Sequence, residues 1–251
     1  MQRYFLEVAY KGTAYSGFQV QQNANSIQAE VEKALSVLFR QTFVFIGSSR
    51  TDAGVHALQN FFHFDTDISL SKKNLYNLNA LLPADIVAKN FYKVNSDAHC
   101  RFDAVSREYK YFLYNTKNPF LQETAYYYPY KLNFQLLEQA AQLLTMHSDF
   151  NAFSKRRTQV KHFICNIHQA RWLREKDCLV FHVMANRFLR GMVRAMVGTM
   201  LKVGTGNLTI KQFNEILENK NPREADFSAP AHGLFLINVN YKEGLLKEKV
   251  E

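Results

Sequence analysis

The sequence contains no run approaching the roughly 18 uncharged apolar residues that a membrane-spanning helix requires. Its opening, Met1-Gln-Arg-Tyr-Phe-Leu-Glu-Val8, carries Glu7 inside the apolar stretch and offers no small-residue cleavage site, so a first strand is expected there and not a signal peptide. The three cysteines, Cys100, Cys165 and Cys178, lie far apart and form no CxxC pair, which argues against a zinc site or a disulfide framework and for a reducing compartment. Low-complexity stretches and short-period repeats are missing. Acidic residues are scarce: 22 Asp and Glu face 31 Lys and Arg, for a net charge of +9. What is present is a globular composition, 47% hydrophobic and 21% charged over 251 residues, which excludes a disordered or collagen-like chain. That length suits one large domain or two small ones. The positive excess bears on partners more than on fold, favouring polyanions such as nucleic acid or anionic membrane surfaces. The expectation is a basic, soluble, cytoplasmic protein.

Residues 2–10 alternate apolar and polar side chains and end at Lys11-Gly12, which predicts a strand entering a turn. Ile27, Val31, Leu35 and Leu38 recur at helical spacing within 26–40, with Asn25 as N-cap and Gln28 closing a capping box. Strands are expected at 42–47 and 58–66, separated by an irregular polar segment from Ser48 to His56. A helix over 71–82 stops at Pro83, and a strand at 86–94 completes a βαββαβ-like first half. The second half opens on an alternating strand, 105–114, and continues with a helix at 134–145 behind Asn133. Strands at 162–173 and 178–186, helices at 188–203 and 209–219, and a strand at 233–241 follow. The similar element content points to an α+β protein of two related halves, 1–104 and 105–251.

Several residue groups can carry chemistry. Asp52 sits in Ser48-Ser-Arg-Thr-Asp-Ala-Gly-Val-His-Ala57, between two apolar strands. An Asp before Ala-Gly can bond its own backbone two residues on, as Asx turns do. In a cleft beside a fixed cation, the same carboxylate could serve as nucleophile or general base. Spacing alone leaves both readings open. Tyr109, Tyr111 and Leu113 share one strand face, either as core or as a platform on which an extruded base stacks. Arg187, Arg190 and Arg194, at i, i+3 and i+7, would form one stripe of the 188–203 helix, with Leu189, Met192, Val193, Met196, Val197 and Met200 as its core face. Lys155, Arg156, Arg157 and Lys161 make a dense basic patch, which the overall charge favours as a phosphate contact. His56 and His63 lack a partner at metal-ligand spacing and read as structural.

The segment Arg50-Thr-Asp-Ala-Gly-Val-His-Ala57 resembles the signature of the TruA family of tRNA pseudouridine synthases. Other motifs that resemble the family's follow in its order: Tyr10-Lys-Gly-Thr-Ala-Tyr-Ser-Gly-Phe-Gln-Val-Gln21, Asn79-Ala-Leu-Leu-Pro-Ala-Asp-Ile86, His99-Cys-Arg-Phe-Asp-Ala104, Ser106-Arg-Glu-Tyr-Lys-Tyr111, Met192-Val-Arg194 and Ala229-Pro-Ala-His-Gly-Leu-Phe-Leu236. The resemblance covers residues 3–241. It implies a pseudouridine synthase fold, two similar α/β halves with antiparallel or mixed sheets continuous across a central basic cleft that holds the active site. It implies isomerisation of uridine to pseudouridine in the anticodon stem-loop, at positions 38, 39 and 40 of tRNA, by a homodimer. Asp52 becomes the catalytic residue, Tyr109 the active-site tyrosine against the substrate base, and Arg194 the partner that holds Asp52 ionised and oriented. Arg50 would reach into the RNA stem and help keep the target nucleotide out of the stack, offsetting an extrusion cost of a few kcal/mol. Arg187, Arg190, Lys155, Arg156 and Arg157 are the further candidates for RNA contact. Isomerisation transfers no group and changes no redox state, so no cofactor or metal is expected, in keeping with the lack of a Rossmann or P-loop glycine pattern.

Departures from the family pattern are Phe18 for its usual Trp, Lys11 for a common Asp, Val20 at a frequently basic position, Ser49 for the usual Gly, and a missing Arg near His162-Phe-Ile-Cys165. They are expected to lie around the RNA-binding surroundings and so to bear on target choice. Two alternatives therefore stand beside the main reading: a divergent paralogue with a narrower or different RNA target, and a non-catalytic RNA-binding module. A metal-dependent nuclease is disfavoured, because Asp52 has no acidic neighbour in sequence.

Overall fold

The computed structural model describes residues 1–156 and 160–250. In chain order its elements are β1 (Gln2–Tyr10), α1 (Ile27–Phe39), β2 (Ile46–Gly47), β3 (His56–Thr66), α2 (Lys72–Leu81), β4 (Ile86–Val94), β5 (Ala104–Tyr114) and β6 (Tyr126–Tyr127). They continue with α3 (Phe134–Met146), β7 (Ile167–Glu175), β8 (Cys178–Ala185), α4 (Met192–Gly204), α5 (Ile210–Asn219), β9 (Leu234–Tyr241) and β10 (Glu248–Lys249). The chain divides into two compact units, one of Met1–Ser106 with Leu236–Glu251, the other of Arg107–Phe235. Strands and helices are mixed in both, an α+β architecture.

In the first unit the strand order is β10-β4-β1-β3-β9, with β2 on β3. β1 is central, pairing antiparallel with β3 and β4. Central placement explains why both of its faces are apolar: Phe5, Leu6 and Val8 are all fully buried. On one face the rings of Phe18, Phe43, Phe45, Phe62 and Phe64 pack together, Phe18 stacking on Phe62 at 4.6 Å. On the other, Phe5, Phe61, Tyr92 and Tyr241 pack around a polar island. Its centre is Glu7, only 3% exposed. Burial alone would push this carboxyl up, but bonds from Gln59, Asn90 and Tyr92 at 2.8–3.0 Å and the Lys89 ammonium at 3.1 Å hold it below its ordinary value.

In the second unit β5, β8 and β7 form an antiparallel set in that order, and β6 adds to β5 in parallel, so the sheet is mixed. Helix α3 presents Leu137, Ala140, Ala141 and Leu144 to the core, and α4 is buried along almost its whole length. The Met-containing stripe of α4 is core, as expected from its spacing.

Local signals fixed most boundaries. Asn133 caps α3 by accepting from Leu136 N, and Thr209 with Gln212 closes a reciprocal capping box on α5. The cap of α1, however, is Ser26 and not Asn25: its hydroxyl accepts from Ala29 N at 3.2 Å. Of the strand expected at 42–47, only Ile46–Gly47 pairs; Phe43 and Phe45 keep the alternation and bury their rings without a ladder. The strand expected from 162 begins at Ile167, and the helix expected from 188 begins at Met192.

One buried imidazole, His63, is expected to make the first unit acid-sensitive. His63, beside Phe5, accepts from Cys100 N at 3.2 Å through Nδ1, and burial first, then the neighbouring His99 and Arg3, pushes it down to about 4. Its folded value lies below the unfolded one, so its contribution is fully present above about pH 6.5 and is lost as pH falls toward 4. Thermal unfolding should show a Tm that drops from pH 7 to pH 5, and His63→Gln should flatten that drop. An equal drop in both proteins would assign the titration to another group.

Candidate active site

The segment between β2 and β3 leaves β3 after Ser48, whose N–H donates to Phe61 O at 2.8 Å, and its later backbone bonds reach the turn after β1. Phe18 N donates to Thr51 O at 3.1 Å and Gly54 N to Tyr15 O at 3.4 Å. Gly12 N donates to His56 Nδ1 at 3.0 Å, which gives His56 a structural role and fixes its tautomer. The approach is close enough that a Cβ on Gly12 would lie 2.0 Å from Val55 O, so no larger residue fits. Gly17 adopts φ +114°, a backbone region that glycine enters without strain, with Thr51 O close by.

Side chains complete the support. Asn60 on β3 bonds Ser48 Oγ, Ser49 O and Tyr10 Oη, and Tyr10 Oη lies 2.8 Å from Thr51 Oγ1. Tyr15 OH donates to Asp85 at 2.5 Å, and Asn79 clamps Ala88 of β4 through both ends of its amide. The Tyr10–Gln21 and Asn79–Ile86 motifs thus act as scaffolding for the loop. Thr51 is buried, Asp52 half-buried and Arg50 exposed.

The second unit holds Tyr109 and Arg194. Tyr109 is 8% exposed on β5, its ring edge-on to Phe188 with centroids 5.0 Å apart. The neighbouring Tyr111 donates its hydroxyl to Pro230 O at 2.8 Å, and burial pushes that phenol well up. Arg194 donates through Nε to Ala229 O at 2.7 Å. It is the third residue of α4, where the positive end of the helix dipole disfavours a cation by about 0.3–1 kcal/mol. Helix stability does not account for its placement. The Ala229–Leu236 motif serves both side chains: its carbonyls take the Tyr111 and Arg194 protons, and a Cβ on Gly233 would strike the Tyr111 ring at 2.8 Å. Burial, and to a smaller extent the Arg194 charge, lowers His232.

Arg187 and Arg190 do not share a helical stripe with Arg194, because both precede Met192. Gly191, at φ +72°, caps α4 and turns the chain before the helix starts. That turn draws in the basic patch instead: Lys155 N donates to Arg190 O at 3.0 Å, and the Lys155 stem packs against Gly191. Arg187 Nη1 lies 3.2 Å from His162 Nε2. Arg156 is exposed, and Arg157 lies outside the described residues.

Two of the sequence departures are core positions and not RNA-facing ones. Phe18 is 1% exposed within the aromatic cluster, and Ser49 is buried, whereas Lys11 and Val20 are exposed. Asn60 lies outside every motif named from the sequence, whereas Tyr10, Tyr15 and Asp85 fall within such motifs but carried no individual role. Asn60 carried one signal, a polar residue in an otherwise apolar strand run, Asn-Phe-Phe-His-Phe. Among the described residues no group of three or more His, Cys, Asp or Glu stands ready to hold a metal ion, and no helix is long and apolar enough to cross a membrane.

The sequence profile of a family described as tRNA pseudouridine synthase matches residues 7–103 and 140–242. The chain is 46% identical over 250 residues to the tRNA pseudouridine synthase A of Porphyromonas gingivalis, covering 98% of this chain and 99% of that one. It is 43% identical over 251 residues to that of Parabacteroides distasonis, with 98% of each chain covered. With that of Bacillus subtilis it shares 38% over 239 residues, 93% of this chain and 97% of the other. The profile spans the stretches that carry Asp52 and Arg194, and the relatives align along nearly their whole length, so the chain belongs to the tRNA pseudouridine synthase family.

Proposed function

We propose that the chain isomerises uridine to pseudouridine in the anticodon stem-loop of tRNA, at positions 38, 39 and 40, with Asp52 as nucleophile. The observation that carries this reading is the Ser48–His56 loop. Its flanks are fixed by bonds to three elements, Thr51 is buried, and Asp52 alone of the Thr-Asp pair keeps access to solvent. A loop held in this way presents one carboxylate with little reorganisation left for the reaction step.

In the reaction the bond between ribose C1′ and uracil N1 breaks, the detached base rotates, and a bond from C1′ to C5 forms. The C5 proton departs and N1 gains one, so atoms and charge balance with no outside reductant or oxidant. Asp52 adds either to the ribose or to the ring. Arg194 serves the reaction together with Asp52, Tyr109 stacks against the extruded base, and Arg50 enters the stem to hold the nucleotide out. Lys155, Arg156, Arg157, Arg187 and Arg190 contact phosphates. The enzyme works in the cytoplasm as a homodimer. Support for this arrangement comes from the family assignment, the unusual placement of Arg194 at a helix N-terminus, and the charge of +9.

On tRNA tritiated at uracil C5, in the presence of chelator, the wild-type protein should release tritium, and Asp52→Asn should abolish release while tRNA affinity stays within about threefold. Normal turnover by Asp52→Asn would remove Asp52 from the mechanism. Tyr109→Phe should retain tRNA binding, whereas Tyr109→Ala should lose on the order of 1–3 kcal/mol of substrate stabilisation; wild-type kinetics in both would reject the stacking role. Replacing Lys155, Arg156 and Arg157 together with Ala should reduce the slope of log affinity against log salt by about 0.7–0.9 for each phosphate that is no longer neutralised. An unchanged slope would put the phosphate track elsewhere.

A further inference from the structure

We infer that Asn60, Tyr10 and Thr51 form a hydrogen-bond chain that positions Asp52, an assignment that rests on the proposed role of Asp52. Asn60 is wholly buried, and its amide is saturated. Oδ1 accepts from Ser48 Oγ at 2.7 Å and from Phe61 N at 2.9 Å, while Nδ2 donates to Ser49 O at 2.9 Å and to Tyr10 Oη at 3.1 Å. Turning the amide over would set its NH2 against the Phe61 N–H, so the backbone of β3 fixes its sense.

Asn60 donates into Tyr10 Oη, and Tyr10 Oη lies 2.8 Å from Thr51 Oγ1, a hydroxyl pair in which either oxygen can donate. Thr51 is then held at both ends, by Tyr10 at its hydroxyl and by Phe18 N at its carbonyl. As a β-branched residue it has few side-chain rotamers, so fixing Oγ1 also fixes the local backbone. The next residue is Asp52, whose carbonyl accepts from Val55 N at 3.2 Å. The peptide before Asp52 is therefore anchored to the turn between β1 and α1, and the peptide after it is closed onto Val55 within the loop. None of the three side chains touches substrate in this assignment; they act through the position of Asp52. Displacing a reacting group by about 1 Å can cost on the order of 100-fold in rate, so weak anchors of this kind have large kinetic leverage.

The test uses the full-length protein and three conservative variants. Tyr10→Phe keeps the ring that packs beside Phe18 and deletes only the hydroxyl. Thr51→Val removes the other partner at equal shape, and Thr51→Ser restores it. Tyr10→Phe and Thr51→Val should each lower kcat by about 10–100-fold with KM for tRNA within twofold, and Thr51→Ser should stand within about threefold of wild type. The double variant Tyr10→Phe with Thr51→Val should be no slower than the slower single one, because the two share one bond. A kcat within twofold of wild type for both singles, a rise in KM at unchanged kcat, or multiplicative losses in the double variant would overturn the chain. Asp52→Asn measured in parallel separates the two claims. If it turns over normally, the nucleophile assignment fails; if it is inactive while Tyr10→Phe is at wild-type kcat, the positioning chain alone fails.

Discussion

The first unit depends on the close seating of the turn after β1 against the loop before β3. Gly12 reaches Val55 at a distance that no side chain could share, and its N–H ends on His56. This contact sets where Phe18 and Tyr15 meet Thr51 and Gly54. From there the constraint spreads in two directions. Phe18 carries it into the aromatic layer through Phe62, and a Cβ on Gly47 would lie 2.2 Å from the Phe18 ring. Tyr15 carries it to Asp85 and the start of β4. The loop is irregular in outline but closely tethered, and an irregular segment needs such tethers to satisfy its backbone groups away from a ladder.

Buried polar groups concentrate where position matters. Glu7 and its four partners sit on one face of the first sheet, and the Asn60 network sits on the other, beneath the Asp52 loop. A saturated buried network specifies one arrangement, since any shift leaves a donor or acceptor without a partner at a cost of about 1–3 kcal/mol. In the second unit the same logic applies to the Ala229–Pro230 carbonyls, which receive the Arg194 and Tyr111 donors. Arg194 runs against the local helix preference and holds a tertiary bond to Ala229 O. Local rules broken at one point and compensated by tertiary contacts are the pattern expected of functional positions.

Periodicity alone revealed the long elements. The alternation in 2–10 and 86–94, the helical spacing in 27–38, and the stop at Pro83 all correspond to the observed β1, β4, α1 and α2. Failures came where a non-local partner decides. Phe43-Val-Phe45 alternates as a strand does, yet pairing requires a free neighbouring edge, and only Ile46–Gly47 finds one on β3. Leu189 fits the apolar period of α4, but Gly191 in a left-handed conformation delays the helix, so the spacing of Arg187, Arg190 and Arg194 has no helical meaning. Asn25 and Ser26 are equally good caps by type, and the 3.2 Å bond to Ala29 N selected Ser26.

The sequence by itself determined the family, through motifs whose residues are chemically constrained, and it determined most elements, through periods of two and 3.6 residues that solvent exposure imposes. It also singled out Asp52, Tyr109 and Arg194 by resemblance. Only the tertiary structure decided which residues support them. Asn60, Tyr10 and Thr51 are distant in sequence, and a saturated amide becomes visible only when β1, β3 and the loop meet. The return of Leu236–Glu251 to the first unit is of the same kind. Hydrogen bonds and strand edges are satisfied in space, and a linear pattern records the need for a partner without recording which partner meets it.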